Sequence, residues 1–186
     1  TAMMQKFSDG LREMTLQAVQ FLVKCVAEEI YLSEDGVYQI GRIRLPKGQD
    51  KKYCLPLRPI LIGGDDLTLV CDGRLGVCLT TGYLNKFSDL SNEYLRKNPD
   101  ICNAINQPKQ FTCSAGVAIV KTHYPFRNAY ILADSLLKSA KKIGRPGGVD
   151  NFNAIDFHLA GQSARLDIDA IRETAYRFQD DRHEYH

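Results

Sequence analysis

Gly63-Gly64-Asp65-Asp66 stands between two apolar runs, Pro59-Ile60-Leu61-Ile62 and Leu67-Thr68-Leu69-Val70. Two short strands flanking a glycine turn predict a hairpin whose tip carries two adjacent carboxylates. Carboxylates held side by side repel each other unless a cation lies between them, so Asp65 and Asp66 are candidate ligands for a divalent metal ion. Gly and Asp are also ordinary turn residues, and a hydrated hairpin tip is the plain alternative. Lys141 and Arg145 form a second charged pair, four residues apart and therefore on one helical face. Cations near a helix C-terminus complement its dipole with no ligand present, or they hold a phosphate.

The remaining reactive side chains point to less. Six cysteines, Cys25, Cys54, Cys71, Cys78, Cys102 and Cys113, include no C-x-x-C pair, and most fall in apolar stretches, so they are expected to be reduced core residues. His123 and His158 lack metal-ligand spacing, and His183 and His186 sit in a polar tail. Ser114 has no His or Asp spaced as a triad. Arg42, Arg44, Lys47, Lys51 and Lys52 make a basic patch that RNA, DNA or an acidic partner would attract. With no aromatic residues read as interleaved for stacking, a solvated surface loop is the expected role.

The 186 residues, 44% hydrophobic, suffice for a substantial core and predict a single globular domain. A net charge of +2 is too small for a nucleic-acid binder by overall field alone. No signal peptide opens the sequence and no apolar run reaches the ~18 to 20 residues of a membrane span, so a cytoplasmic protein with no membrane partner is expected.

Hydrophobic periodicity supplies the frame that must hold these residues. Apolar positions three and four apart predict a helix over residues 4–32. Residues 33–57, rich in Gly, Lys, Arg and Pro, read as an irregular or hairpin insertion. The Asp65-Asp66 hairpin follows, then helices over 75–90 and 92–105 and a buried strand within 111–120. A helix over 125–143 is stopped by Gly144 and Pro146-Gly147-Gly148. A strand over 154–159 and a helix over 168–178, with Asp167 as N-cap, complete the order. The fold class expected is α+β, a ferredoxin-like or polymerase-palm mixed sheet with helices packed against it. Such a fold opens with a strand ahead of the first helix, where only Thr1 to Met4 stand, so the chain reads as a piece of a longer one.

Three separated motifs carry a resemblance. The segment from Arg58 through Gly63-Gly64-Asp65-Asp66 to Val70 resembles the metal-binding hairpin of the second palm domain in the large, polymerase-like subunit of type III CRISPR effector complexes. Ser114-Ala115-Gly116-Val117-Ala118-Ile119, Tyr124-Pro125-Phe126 and the run from Ala133 to Arg145 are similar to a strand and helix shared by that palm and the GGDEF nucleotide cyclases. Ala154-Ile155-Asp156-Phe157-His158 resembles the closing strand of the CRISPR-type palm. Together they cover most of the chain after Leu55.

The resemblance implies metal-dependent nucleotidyl transfer that makes a cyclic or linear oligonucleotide messenger from a nucleoside triphosphate, by resemblance ATP, in antiviral defence. Asp65 and Asp66 would be metal ligands and catalytic residues with Mg²⁺ or Mn²⁺. Gly63 and Gly64 would let the nucleotide approach the backbone, and Lys141 and Arg145 would bind its triphosphate. A further carboxylate would come from the opening strand. The other readings are a non-catalytic nucleotide-binding or scaffolding palm docked on RNA-guided effector subunits or RNA, and an RNA-binding module on the related ferredoxin-like sheet. Asp66-Leu67 replaces the Glu-Phe of a diguanylate cyclase, which argues against that variant.

Overall fold

In a computed structural model, residues 2–105, 111–144, 152–160, 168–175, 178–179 and 184–185 are described. They form two compact units, Thr1–Phe111 and Thr112–His186, each taken by itself below. Arg145, the Pro146-Gly147-Gly148 stop, the Asp167 cap, His183 and His186 lie outside the described residues.

The first unit is built on α1 (Ala2–Glu28) and α2 (Gly76–Lys97). Helix α1 buries Met14, Thr15, Ala18, Val19, Leu22 and Val26, a stripe at three- and four-residue steps. It packs on α2, whose buried face includes Leu79, Tyr83, Leu84, Phe87 and Leu95. Gly10 lets the helices close up, because a Cβ there would overlap the ring of Tyr94, whose hydroxyl donates to the Lys6 carbonyl at 3.1 Å.

The expected break between helices near residue 91 falls instead at Asn98. Ser91 is wholly buried, its hydroxyl donating to the Ser88 carbonyl at 2.9 Å and accepting the Phe111 N–H at 3.2 Å, so it continues α2 rather than ending it. Pro99 starts α3 (Pro99–Ala104) and excludes helical geometry at Asn98, which adopts φ −128° and ψ 68°.

Residues 33–57, expected to be irregular or a hairpin, contribute to an ordered meander. Strand β1 (Tyr31–Leu32) pairs with β2 (Tyr38–Ile40), which pairs with β3 (Ile43–Arg44), all antiparallel, and a bridge between Lys47 and Tyr53 closes the following loop. Alternation explains it: Ile43 and Leu45 are buried on one face while Gln39 and Arg44 stand opposite each other on the other. The hairpin is β4 (Leu57–Gly63) with β5 (Asp66–Cys71), antiparallel, with a bulge between Pro59 and Leu61, since Pro59 has no N–H to give the ladder.

The cysteine expectation needs correcting. All six are free, but none is fully buried; Cys54, in the loop ahead of β4, and Cys78, on the outer side of α2, are exposed. Cys71 is the most constrained: burial, reinforced by the charge of Asp72, pushes its thiol up to about 11.

In the second unit β6 (Ser114–Ile119) pairs in parallel with β7 (Ala154–Leu159), joined through α4 (Phe126–Gly144), which packs on both strands. Leu132 and Leu136 of α4 are fully buried, and with Ile168 of α5 (Ile168–Ala175) they form the core against Ala118, Ala160 and Ile171. Two short strands, β8 (Phe178–Gln179) and β9 (Glu184–Tyr185), pair antiparallel. The α+β class holds, and both strand senses of the expected mixed sheet are present, distributed over separate small sheets. Among the described residues no helix is long and apolar enough to cross a membrane.

Two contacts in this unit are testable. A Cβ at Gly116 would run into the Ala133 carbonyl and the Leu137 N–H of α4, which are backbone and cannot swing aside. Gly116→Ala is therefore expected to cost at least about 3 kcal/mol in urea unfolding, the upper end for overpacking. Asp156, 12% exposed, accepts two hydrogen bonds from Arg172 Nη2 at 2.5 and 2.7 Å, and Arg172 Nη1 donates to Ser139 Oγ at 3.0 Å. Burial alone would raise the Asp156 carboxyl, but the hydrogen bonds from Arg172 and Ser139 outweigh it and hold the group below its ordinary 3.8. The folded value is depressed, so this stabilisation is complete above the unfolded value and fades as pH falls through the folded one. Arg172→Met is expected to cost about 1–3 kcal/mol near neutrality, and the difference from the parent should shrink as pH drops below 3.8.

Candidate functional site

The Gly-Gly-Asp-Asp segment turns within two residues. Gly63 pairs with Asp66 and Ile62 with Leu67, leaving Gly64 and Asp65 as the loop. Gly64 has φ +60°, a conformation that costs glycine nothing, while Asp65 keeps a negative φ, the pattern of a type II′ turn with glycine first. Asp65 is the second loop residue and Asp66, the first residue of β5, closes the turn against Gly63. Both are exposed. No neighbouring atom lies within 4 Å of a Cβ built at Gly63 or Gly64, so the backbone there faces open space.

One residue that the sequence reading passed over holds the turn. Thr15, fully buried on α1, donates its hydroxyl hydrogen to the Gly64 carbonyl at 2.8 Å. A helical threonine ordinarily turns its hydroxyl back on its own helix. Here the bond runs to the loop instead, fixing the turn against the most buried face of α1. The available signal was a polar residue in phase with Leu11, Met14, Ala18 and Leu22 on an otherwise apolar stripe.

The donor set suits a hard cation only in part. Two carboxylates are what Mg²⁺ commonly takes from protein when phosphate and water oxygens complete its octahedron. Among the described residues no three His, Cys, Asp or Glu side chains group closely enough to hold a metal by themselves. Asp65 and Asp66 alone do not cage an ion; as a donor pair they suit one whose remaining ligands come from outside the protein.

In the second unit Lys141 is exposed in the last turn of α4 beside Lys142, where both complement the helix dipole. It lines a groove of about 450 Å³ with Ser135, Lys138, Ser139, Lys142 and Asp169. Lys138 is tied to Asp134 at 2.7 Å. Arg145, its expected partner, is outside the described residues. Among the described residues His158 and His123 join no metal-binding group.

A family model described as Cas10/Cmr2, second palm domain, matches residues 1–147. The match begins well before the hairpin motif and ends short of Ala154-Ile155-Asp156-Phe157-His158. No curated protein matches the chain.

Thr15→Val keeps the side-chain volume and removes the hydroxyl. It is expected to destabilise the protein by about 1–2 kcal/mol and to speed amide exchange at Asp65 and Asp66, whereas Thr15→Ser, which retains the donor, should leave that exchange at the parent rate.

Proposed function

We propose, from the premise that this chain belongs to the Cas10/Cmr2 second palm domain family, that it takes part in metal-dependent nucleotidyl transfer, joining nucleoside triphosphates, ATP foremost, into a cyclic or linear oligonucleotide. The setting is a type III CRISPR effector, and the product would serve antiviral signalling. The observation that carries this reading is the hairpin tip: two exposed carboxylates beside open glycine backbone, on a turn anchored to a buried helix by Thr15.

In this reading a bound Mg²⁺ or Mn²⁺ supplies neutralisation of phosphate charge and alignment of a 3′-hydroxyl with an α-phosphate. Asp65 and Asp66 hold that ion. Gly63 and Gly64, free of side chains, admit the ribose or base to the backbone. Thr15 limits movement of the turn, so the carboxylates need little reorganisation on binding. Lys141, exposed in the last turn of α4, and Arg145 are the residues that the resemblance assigns to triphosphate binding.

A second reading is a palm that binds nucleotide and scaffolds an RNA-guided complex without catalysis. The absence of a third candidate metal ligand near Asp65 and Asp66 among the described residues favours it.

The two are separated by incubating the protein with each nucleoside triphosphate and Mn²⁺, analysing products by mass spectrometry, and measuring Mn²⁺ binding by electron paramagnetic resonance. The catalytic reading expects an oligonucleotide product, at least about 100-fold less from Asp65→Asn/Asp66→Asn, with Mn²⁺ affinity falling about tenfold or more. Mn²⁺ binding that depends on the aspartates, without any product, selects the scaffold. Mn²⁺ binding indifferent to both aspartates removes the site itself.

A further inference from the structure

We propose that Arg172 is a positioning residue for the triphosphate, acting through Asp156 to keep the groove between α4 and α5 electropositive; this rests on the reading of Lys141 as a triphosphate ligand. The groove has two walls. Helix α4 supplies Lys138, Ser139, Lys141 and Lys142, and α5 supplies Ile168 and Asp169. Arg172 stands one helical turn beyond Ile168, on the same face of α5. Ile168 buries that face in the core with Leu132 and Leu136, and the guanidinium reaches the α4 wall, where Nη1 donates to Ser139 Oγ at 3.0 Å.

The charges lining the groove nearly cancel, which makes a neighbouring charge decisive. Lys138 is answered by Asp134 at 2.7 Å, while Lys141 and Lys142 form no ion pair among the described residues. Those two ammoniums stand against Asp169, the one carboxylate that lines the groove among the described residues, and the excess is a single positive charge. Asp156 lies one side chain further in. Its carboxylate, 12% exposed, accepts from Ser139 as well as from Arg172, so Ser139 belongs both to the groove wall and to the Asp156 network. Left without Arg172, that carboxylate would set a negative charge behind the wall, little screened by water, and erase the excess. The guanidinium cancels it through both carboxylate oxygens and holds Ser139 with its other nitrogen.

A clamp of merely structural value would behave differently when broken. Removing either end of the Asp156–Arg172 pair takes away the same hydrogen bonds, so a loss of packing predicts weaker phosphate binding in both cases. The charges left behind have opposite signs. Arg172→Met leaves an uncompensated carboxylate, and Asp156→Asn leaves an uncompensated guanidinium, which attracts an anion.

The test is isothermal titration calorimetry of the whole chain with inorganic tripolyphosphate at about pH 8, where an unpaired carboxylate at position 156 is ionised. Lys141→Met and Arg172→Met should each weaken binding about tenfold. Asp156→Asn should tighten it several-fold, and Asp156→Asn/Arg172→Met, which removes both charges, should bind within about twofold of the parent. Should Arg172→Met fail to show a cooperative urea transition, the sign of the Asp156→Asn change decides alone. Parental affinity in Arg172→Met, or weaker binding in Asp156→Asn, overturns this proposal and leaves Lys141 as a ligand. Absence of tripolyphosphate binding, or binding indifferent to Lys141→Met, overturns the triphosphate reading and this proposal with it.

Discussion

The Thr15 hydroxyl, buried on α1, is satisfied by the Gly64 carbonyl, and the position of the Gly-Gly-Asp-Asp turn follows from that bond. A hydroxyl wholly removed from water must find a partner or cost about 1–3 kcal/mol, and a two-stranded hairpin on its own is marginal in water. Each feature supplies what the other lacks. The helix gains an acceptor for a polar group in its apolar stripe, and the hairpin gains a fixed point at the end where its chemistry lies. Gly64 makes this possible, since only a residue at ease with φ +60° turns the chain at that place without strain.

The second unit rests on a different economy of space. Gly116 brings β6 so near α4 that helix backbone occupies the volume a methyl group would need. Leu132 and Leu136 can then reach a common core with Ile168, and the parallel pair β6–β7 is covered on the side where Asp156 meets Arg172 and Ser139. Hydrophobic contact dominates here, and the largely buried carboxylate is tolerated because both of its oxygens accept from Arg172.

What the sequence makes legible is what repetition or punctuation marks strongly. The 154–159 strand, the helix ending near Gly144 and the Gly-Gly-Asp-Asp hairpin all have long periodic runs or decisive glycines, and they stand where expected. The meander does not announce itself, because strands of two or three residues are too short to show a period. The row of Tyr31, Gln39 and Arg44, one residue from each strand, exists only through cross-strand register. Thr15 looks like one more polar residue in a helix until the loop 49 positions away is placed against it. The α2 boundary moved because burial of Ser91 outweighed its preference for helix ends, while Pro99 allowed no such override. At the site itself, glycine and aspartate chemistry was readable from the segment, but the division between a turn Asp65 and a strand Asp66 was set by pairing geometry.

The suppressed acidity of Cys71 bears on oxidative damage. With burial and the charge of Asp72 raising its thiol to about 11, Cys71 carries little thiolate near neutrality, and peroxides and electrophiles attack the thiolate. The strand that begins with Asp66 therefore ends in a sulfur that resists sulfenic acid formation and mixed disulfides. Oxidants meet Cys54 and Cys78 first, on exposed surface. The hairpin that presents the two aspartates thus ends in a thiol that partial burial and the neighbouring Asp72 charge keep protonated.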